Sequence, residues 1–452
     1  NFVTFQTLLS SLLISKSMRL WMTIPRLLKE IENRKSEIIQ LTSELIKIPT
    51  VNPPGKNYRE ICEYLSNRLE RSGFHVNILR AEGALADSDK YPRYNLIARH
   101  EGTYSGQCIH FNSHIDVVNA GNGWTRDPFG GTIEGDKIFG RGSCDMKGGL
   151  ASSIVAAEAF IKIFPNYYGA IEISATADEE TGGYGGVAWL AEKGHFSPKK
   201  VQHVIIPEPL NKDRICLGHR GVWWTEIETK GRIAHGSMPF LGDCAIRHMG
   251  AVLEEIENNL LPKLDTKKTK MPVVPEKAKK STLNINSIHG GLEEVNDSYN
   301  GLPAPLVADS CRMILDRRYL VEETLNEVKL EIYEILEKVK KNRPSLEYSV
   351  KDLFEVKPSF TDPKSNIVQT VEDSIAEILG VKPKHVVSPG SYDQKHIDRI
   401  GKLKNCIAYG PGILELAHQP DEFILISDMM DSAKIMAMTI SKLLNKNIIN
   451  SS

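Results

Sequence analysis

Five short segments of this sequence place histidine or carboxylate side chains directly after apolar or glycine-rich stretches. Such side chains bind divalent cations and transfer protons, so chemistry is most readily expected at these positions. The segments are Ser113-His114-Ile115-Asp116, Gly140-Arg141-Gly142-Ser143-Cys144-Asp145-Met146-Lys147-Gly148-Gly149, Asp178-Glu179-Glu180-Thr181-Gly182, Pro207-Glu208-Pro209 and Ala417-His418-Gln419-Pro420-Asp421-Glu422. Taken singly, each segment is also compatible with an ordinary structural or surface role.

The first two segments suggest metal binding. Positions two apart on a strand point to the same face, so the Asp116 carboxylate can stand beside the His114 imidazole and orient it. Asp145 lies on a glycine-rich turn, where its two oxygens could bridge two metal ions. A phosphate-binding role for these glycines is disfavoured, because neither phosphate-loop pattern is satisfied and Asp145 takes the sixth position of G-x-G-x-x-G.

The remaining segments add carboxylates and a second histidine. Glu179 and Glu180 are adjacent, and adjacent side chains diverge, so we expect one to bind metal and the other to carry a proton. Glu208 stands between two prolines after an apolar stretch, and His418 follows a Gly-Pro-Gly turn. A covalent mechanism is less favoured, because no G-x-S-x-G elbow is present and acidic neighbours disfavour a thiolate at Cys144.

The elements that must position these residues follow from the apolar periodicity. Over residues 25–213, strand-like and helix-like stretches alternate, which predicts an α/β catalytic domain with a central mixed sheet and helices on both faces. In such sheets ligands bind at the carboxyl ends of strands, where these segments fall. Residues 214–354 follow a β-α-β-β-α-β order, which predicts an inserted ferredoxin-like α+β domain. The first pattern resumes over residues 355–452, as a second part of the catalytic domain.

Composition and cysteine usage exclude several classes of partner. The 452 residues contain 56 Lys and Arg against 57 Asp and Glu, so no charge excess favours nucleic acid or an anionic membrane surface. The 7 cysteines are scattered without a C-x-x-C pair, which predicts reduced thiols and a cytoplasmic location. We expect residues 1–24 to be a non-native or flexible leader, with translation beginning at Met18 or Met22. The apolar stretch in this leader is too short to span a membrane.

Together, the five ordered segments resemble the dinuclear zinc metallopeptidase and amidohydrolase family that includes succinyl-diaminopimelate desuccinylase, acetylornithine deacetylase, aminoacylase and carboxypeptidase G. The resemblance extends from about Ile38 to Leu444. It implies two divalent metal ions, with zinc preferred and cobalt or manganese as replacements. The metal ligands that it implies are His114, Asp145, Glu180, Glu208 and His418, with Asp145 as the bridge.

The resemblance also implies roles for residues that bind no metal. Glu179 would be the general base, and Asp116 would be the partner of His114. The segment Gly231-Arg232-Ile233-Ala234-His235-Gly236-Ser237-Met238-Pro239 resembles the lid motif of the family. His235 would then be catalytic by donating a hydrogen bond to the developing oxyanion. The resemblance also makes residues 214–354 a lid and dimerisation domain, so it implies a homodimer formed through that domain.

Two departures from the family pattern concern substrate binding. Pro305-Leu306-Val307-Ala308 stands where the family often has an Asn-x-x-Pro turn, and Gly390-Ser391-Tyr392-Asp393-Gln394-Lys395-His396 alters a frequent Gly-x-Thr-Asp-Ala-Arg segment. Substrate choice is therefore expected to differ. Arg318 could bind a substrate carboxylate through its planar guanidinium, or it could form a structural ion pair.

The resemblance, together with the chemistry of these residues, predicts a hydrolase that cleaves the amide bond of an N-acyl amino acid, similar to succinyl-diaminopimelate desuccinylase or acetylornithine deacetylase. A metal-activated water would attack the acyl carbon while Glu179 takes its proton. The nearest alternative keeps the metals and acts as a dipeptidase or carboxypeptidase. More distant alternatives are a non-catalytic binding protein and a nucleotide-binding enzyme that uses the glycine-rich loop. The expected partners are small acyl amino acids or short peptides.

Overall fold

The structure is a computed structural model that describes residues 23–291 and 305–445. All but the last two residues of the predicted leader lie outside this part of the chain. The described residues form two compact units. The first unit contains the residues up to Leu217, Phe360–His385 and the residues from Tyr392 onward, and the second unit contains Gly218–Ser359 and Val386–Ser391. The sequence predicted the insertion at 214–354 and did not indicate the short return of the chain at Val386–Ser391.

Strands and helices alternate along the described chain. The strands are β1 (His75–Arg80), β2 (Tyr94–Glu101), β3 (Tyr104–His114), β4 (Thr132–Glu134), β5 (Lys137–Phe139), β6 (Tyr168–Thr176), β7 (His203–Ile206), β8 (Arg214–His219), β9 (Gly221–Lys230), β10 (Thr282–Gly290), β11 (Ser310–Tyr319), β12 (Glu347–Val356), β13 (Ser359–Phe360), β14 (Lys384–Ser388), β15 (Cys406–Ala408) and β16 (Phe423–Leu425). The helices are α1 (residues 23–33), α2 (Lys35–Lys47), α3 (Tyr58–Arg71), α4 (Gly148–Ile163), α5 (Trp189–Glu192), α6 (Ala245–Glu255), α7 (Leu261–Thr266), α8 (Leu325–Asn342), α9 (Asn366–Leu379), α10 (Gln394–Arg399) and α11 (Ile426–Leu444). Within the described ranges, none of the helices combines the length and the apolarity needed to cross a membrane.

The first unit is built on a mixed sheet. Its strand order is β1-β2-β6-β3-β7-β15-β8-β13, with β14 paired to β8. β3 pairs in parallel with β6 and β7, and β7 pairs in parallel with β15, whereas the β1–β2 and β2–β6 pairs are antiparallel. Because the carboxyl ends of parallel strands meet at one edge of a sheet, the segments that follow β3, β6 and β7 lie near one another. This architecture confirms the predicted α/β fold class.

Helix α4 is the central helix of the first unit. Its sequence is apolar on nearly all sides, and the residues from Gly148 to Phe160 are buried, as expected of a helix enclosed by other elements. It packs against β3, β6, α2 and α11. The buried Glu158 carboxylate of α4 receives hydrogen bonds from Arg34, between α1 and α2, and from Arg68 of α3. Charge pairing therefore ties α4 to the α1–α2 junction and to α3.

The second unit is a four-stranded antiparallel sheet with the strand order β10-β11-β9-β12. Helix α6 packs on β9, on β11 and on α8. A capping box starts α8, because Thr324 accepts a hydrogen bond from the Glu327 N–H while Glu327 accepts one from the Thr324 N–H. The β-α-β-β-α-β order and this strand order are those of a ferredoxin-like domain, as the sequence predicted.

Candidate metal centre

The carboxyl edge of the first unit's sheet carries histidine and acidic side chains. β3 ends at His114, β6 is followed by the turn that carries Glu180, and Glu208 lies two residues after β7. Asp145 lies in the loop between β5 and α4, and His418 lies in the loop between β15 and β16. The structure therefore brings all five residues predicted as metal ligands to one region.

These residues form two groups that share Asp145. The groups are His114, Asp145 and Glu208, and Asp145, Glu180 and His418, and within each group the potential ligand atoms lie within 4.8 Å of one another. The His114 Nε2 lies 3.0 Å from the Asp145 Oδ1 and 3.9 Å from the Glu208 Oε1. The His418 Nε2 lies 3.3 Å from the Asp145 Oδ2 and 3.1 Å from the Glu180 Oε1. Asp145 thus faces each group with a different oxygen, an arrangement that allows its carboxylate to bridge two ions.

The donor chemistry of both groups fits divalent metal ions. Each group offers one imidazole and two carboxylates without a thiolate, a set that suits zinc and its usual replacements. Burial and the Asp145 carboxylate raise the pKa of Glu208 well above its ordinary value. Burial raises the pKa of Glu180 to about 7, against a hydrogen bond with His418. Burial and mutual repulsion disfavour the ionised form of these carboxyl groups when no cation is bound, and divalent cations would stabilise that form, so the residues fit a two-metal centre.

The imidazole of His114 is oriented by a main-chain group. Its Nδ1–H donates to the Asp116 carbonyl oxygen at 3.0 Å, whereas the Asp116 carboxylate oxygen Oδ1 lies 3.7 Å from Nδ1. The sequence predicted that the carboxylate would make this contact. The structure differs because β3 ends at His114, so the alternation of a strand does not continue to Asp116. The Nε2 atom of His114 still faces Asp145.

The Asp116 carboxylate instead holds the turn that follows β6. Its Oδ1 accepts the Glu179 N–H at 3.1 Å, and its Oδ2 accepts the Glu180 N–H at 3.1 Å. Asn52 donates through Nδ2 to the same Oδ2 at 2.9 Å, and burial raises the pKa of Asp116 to about 6. Asp116 therefore sets the position of both adjacent glutamates.

Asp178 begins this turn in a left-handed conformation, with φ 64°. Its Oδ2 accepts from the Arg93 Nε at 3.1 Å, and its Oδ1 accepts from the Tyr58 hydroxyl at 3.1 Å. Both side chains of the Arg93–Asp178 pair are 3% exposed. Buried charge pairing and hydrogen bonding thus stabilise a backbone conformation that a non-glycine residue rarely adopts.

The glycine-rich loop that carries Asp145 encloses an internal carboxylate. The Glu422 Oε1 accepts hydrogen bonds from the N–H groups of Gly142, Cys144 and Asp145 at 3.0, 2.9 and 3.1 Å. Gly142 has φ 84°, a conformation that favours glycine. The loop N–H groups therefore do bind a carboxylate, which is the Glu422 side chain of the same chain.

Arg141 connects this loop to the loop that carries His418. Its Nη1 lies 2.5 Å from the Glu422 Oε2 and donates to the Gln419 carbonyl oxygen at 3.2 Å. Its Nη2 donates to the carbonyl oxygens of His418 and Ala120 at 3.2 and 3.1 Å. Arg141 is 2% exposed. One buried guanidinium thus connects segments that are remote in sequence and that carry ligands of both metal groups.

The other two predicted site residues lie in the second unit. The exposed His235 accepts the Ser237 N–H through Nδ1 at 3.1 Å, so the neutral imidazole carries its proton on Nε2, where it can donate. Arg318 donates to the carboxylate of Asp316 through Nε at 2.6 Å and through Nη2 at 2.9 Å. Its guanidinium is therefore already engaged in an ion pair.

Several residues around the centre were not assigned a role from sequence. They are Asn52, Arg93, Arg141, Asp178, Lys395 and Glu422. Arg141, Asp178 and Glu422 lie inside the quoted motifs, so their positions in the sequence could have indicated a role. Lys395 lies in the altered segment after β14. Asn52 and Arg93 lie in no motif, so only the tertiary contacts identify them.

The fold and the centre together place this chain in a known class of hydrolases. The chain belongs to the peptidase family M20/M25/M40, whose sequence profile matches residues 110–442, and this confirms the resemblance inferred from the motifs. It is 26% identical over 416 residues to succinyl-diaminopimelate desuccinylase from Acinetobacter baumannii strain AYE. The alignment covers 90% of this chain and 99% of that protein.

Solved structures show the same fold. Human carnosine dipeptidase 1 superposes with a TM-score of 0.72 at 18% identity and covers 93% of this chain and 98% of its own. The Bacillus subtilis YXEP protein, described as a dinuclear metal binding peptidase of the M20 family, superposes with a TM-score of 0.63 at 16% identity. It covers 91% of this chain and 99% of its own.

Proposed function

We propose that this chain hydrolyses the amide bond of an N-acyl amino acid, with succinyl-diaminopimelate desuccinylase or acetylornithine deacetylase activity preferred. The observation that carries this proposal is the pair of ligand groups that share the Asp145 carboxylate. The desuccinylase relative aligns over 99% of its length, which supports the same class of substrate. The YXEP protein, named as a dinuclear metal binding peptidase, supports the use of two metal ions.

Two divalent cations, preferably zinc, would be held by the two groups. One would bind His114 and Glu208, the other would bind Glu180 and His418, and Asp145 would bridge them. When bound, such cations supply Lewis acidity that activates water and polarises the acyl oxygen.

The remaining chemistry belongs to side chains. Glu179 takes a proton from the attacking water and passes it to the leaving nitrogen, while Asp116 holds the turn that carries it. His235 donates from Nε2 to the developing oxyanion. Arg318 would bind a substrate carboxylate, and to do so its guanidinium would have to leave the ion pair with Asp316. A homodimer and a cytoplasmic location complete the proposal.

A chelator and a substrate panel test this function. The purified protein is stripped of metal, reloaded with zinc, cobalt or manganese, and assayed on N-succinyl, N-acetyl and dipeptide substrates. We expect activity to disappear on stripping, to return with metal, and to be highest on an acyl amino acid. Faster hydrolysis of dipeptides would favour the dipeptidase alternative, and full activity of the stripped protein would contradict the mechanism.

Replacing the general base separates chemistry from metal binding. Glu179→Ala is expected to lower kcat by about two to four orders of magnitude, the usual contribution of general base catalysis, while metal content stays near that of the unmodified protein. The exposed Glu82 offers a matched control, and Glu82→Ala should leave both quantities unchanged. A Glu179→Ala protein with normal kcat would remove Glu179 from the mechanism.

A further inference from the structure

Lys395 places a buried cation against the proposed general base. Its Nζ donates to the Glu179 Oε1 at 3.1 Å, and the two side chains are 3% and 11% exposed. Burial lowers the pKa of Lys395, but the carboxylates of Glu179 and Asp393 outweigh this effect and raise it, so the ammonium stays charged. A charge-assisted hydrogen bond with little competing water is strong and directional.

The surroundings of Lys395 are themselves fixed to the sheet. The neighbouring Asp393 accepts through Oδ2 from the Asn112 Nδ2 at 2.9 Å and from the Thr176 hydroxyl at 3.4 Å. Asn112 is held in turn, because its Oδ1 accepts from the Ser174 hydroxyl at 2.7 Å. All of these side chains are buried. The segment before α10 is therefore anchored to β3 and β6 by polar contacts.

Helix α10 is also attached to the turn that carries Glu179. The His396 Nε2–H donates to the Gly182 carbonyl oxygen at 2.6 Å, so a second bond joins the same two segments. A side chain at Gly183 would bring its Cβ within 3.1 Å of the Asp393 Oδ1 and 3.0 Å of the His396 ring, so the two segments approach closely here. Lys395 and Glu179 consequently keep a fixed relation to each other.

The electrostatics of the centre explain why such a cation is needed. Glu179 adjoins Glu180, and its charge also acts on Glu208, so it is one more carboxylate beside the metal-binding set. Without a cation of its own, its carboxylate would be drawn to the same metal ions as those ligands. We infer that Lys395 is a positioning residue, which holds the Glu179 carboxylate out of the metal groups and directed at the water that it deprotonates. This inference rests on the proposed function.

Substitution of Lys395 tests the inference in the metal-loaded full-length protein. Lys395→Met should retain both metals and leave KM unchanged, while kcat falls about 100-fold, the loss typical of a catalytic group displaced by about 1 Å. Lys395→Arg keeps the charge and should recover part of that loss. The matched control is Lys404, which follows α10, is 74% exposed and pairs with Asp398 of that helix, and Lys404→Met should leave kcat unchanged.

Two further measurements show whether Lys395 acts through Glu179. In a Glu179→Gln background, adding Lys395→Met should lower kcat no further. In the cobalt-loaded protein, Lys395→Met should change the visible absorption spectrum as Glu179 approaches the metal, and this change should be absent in the Glu179→Gln background. If the Met variant does not fold, Lys395→Arg and Lys395→Gln are compared instead. The Arg variant, which keeps the charge, should then have the higher kcat.

Several results would overturn the inference. Normal kcat in Lys395→Met would show that Glu179 needs no such partner, and a raised KM at constant kcat would make Lys395 a substrate-binding residue. An equal further loss of kcat in both backgrounds would make its effect independent of Glu179. A different result would contradict the proposed function, namely the absence of hydrolysis by the unmodified metal-loaded protein.

Discussion

Replacing Glu422 with glutamine removes a buried negative charge while keeping the shape of the side chain. Glu422 is 1% exposed, and its partner Arg141 is 2% exposed. The glutamine oxygen can still accept the three loop N–H groups, but its amide group would face the Arg141 guanidinium, donor against donor. Removing one partner of a buried ion pair typically costs about 3 to 5 kcal/mol. We expect Glu422→Gln to lower the free energy of unfolding by that amount.

The same substitution should weaken metal binding, because the three N–H groups belong to the loop that carries Asp145 and Arg141 holds the loop that carries His418. Changes in groups that support metal ligands typically reduce affinity about 10- to 100-fold. Urea unfolding of the metal-free protein followed by circular dichroism measures the first effect. Calorimetric titration with zinc measures the second.

Glu134 is the matched control for Glu422. It pairs with Arg126 at 2.7 Å, but the two side chains are 47% and 30% exposed. Exposed ion pairs contribute about 0 to 1 kcal/mol, so Glu134→Gln should change stability by less than about 1 kcal/mol and leave zinc affinity unchanged. If Glu422→Gln behaves like this control in both assays, the assignment of Glu422 and Arg141 as supports of the metal centre is refuted.

Three further substitutions probe other contacts. Asp116→Asn places an amide donor against the N–H groups of Glu179 and Glu180, so kcat should fall about 10- to 100-fold in a steady-state assay. An unchanged kcat would show that Asp116 does not set the position of Glu179. Arg93→Met leaves the Asp178 carboxylate buried without its cation and should lower the free energy of unfolding, measured in urea, by about 3 to 5 kcal/mol. The control Arg59→Met removes an exposed ion pair and should lower it by less than about 1 kcal/mol. His235→Ala should lower kcat about 100- to 1000-fold at normal metal content, and a normal rate would remove His235 from the mechanism.

The apolar pattern of the sequence predicted the class of fold, and the resemblance of its five motifs to a known family predicted the five side chains that the structure brings together. The first prediction rests on local patterns, because apolar periodicity encodes strands and helices, and parallel strands place the residues that follow them at one edge. His114 is the last residue of such a strand, and Glu180 and Glu208 follow two others, so their proximity could be predicted without coordinates.

The contacts that support these side chains depend on packing between remote segments. Lys395 lies 216 residues from Glu179, and Glu422 lies 280 residues from Gly142, and no local pattern joins either pair. Likewise, the Asp116 carbonyl oxygen reaches the His114 imidazole because β3 ends at His114 and the chain turns there. Sequence by itself determined which five candidate metal ligands to look for in this protein. Only the tertiary structure decided which atom holds each group in place, because hydrogen-bond geometry depends on backbone positions that long-range packing sets.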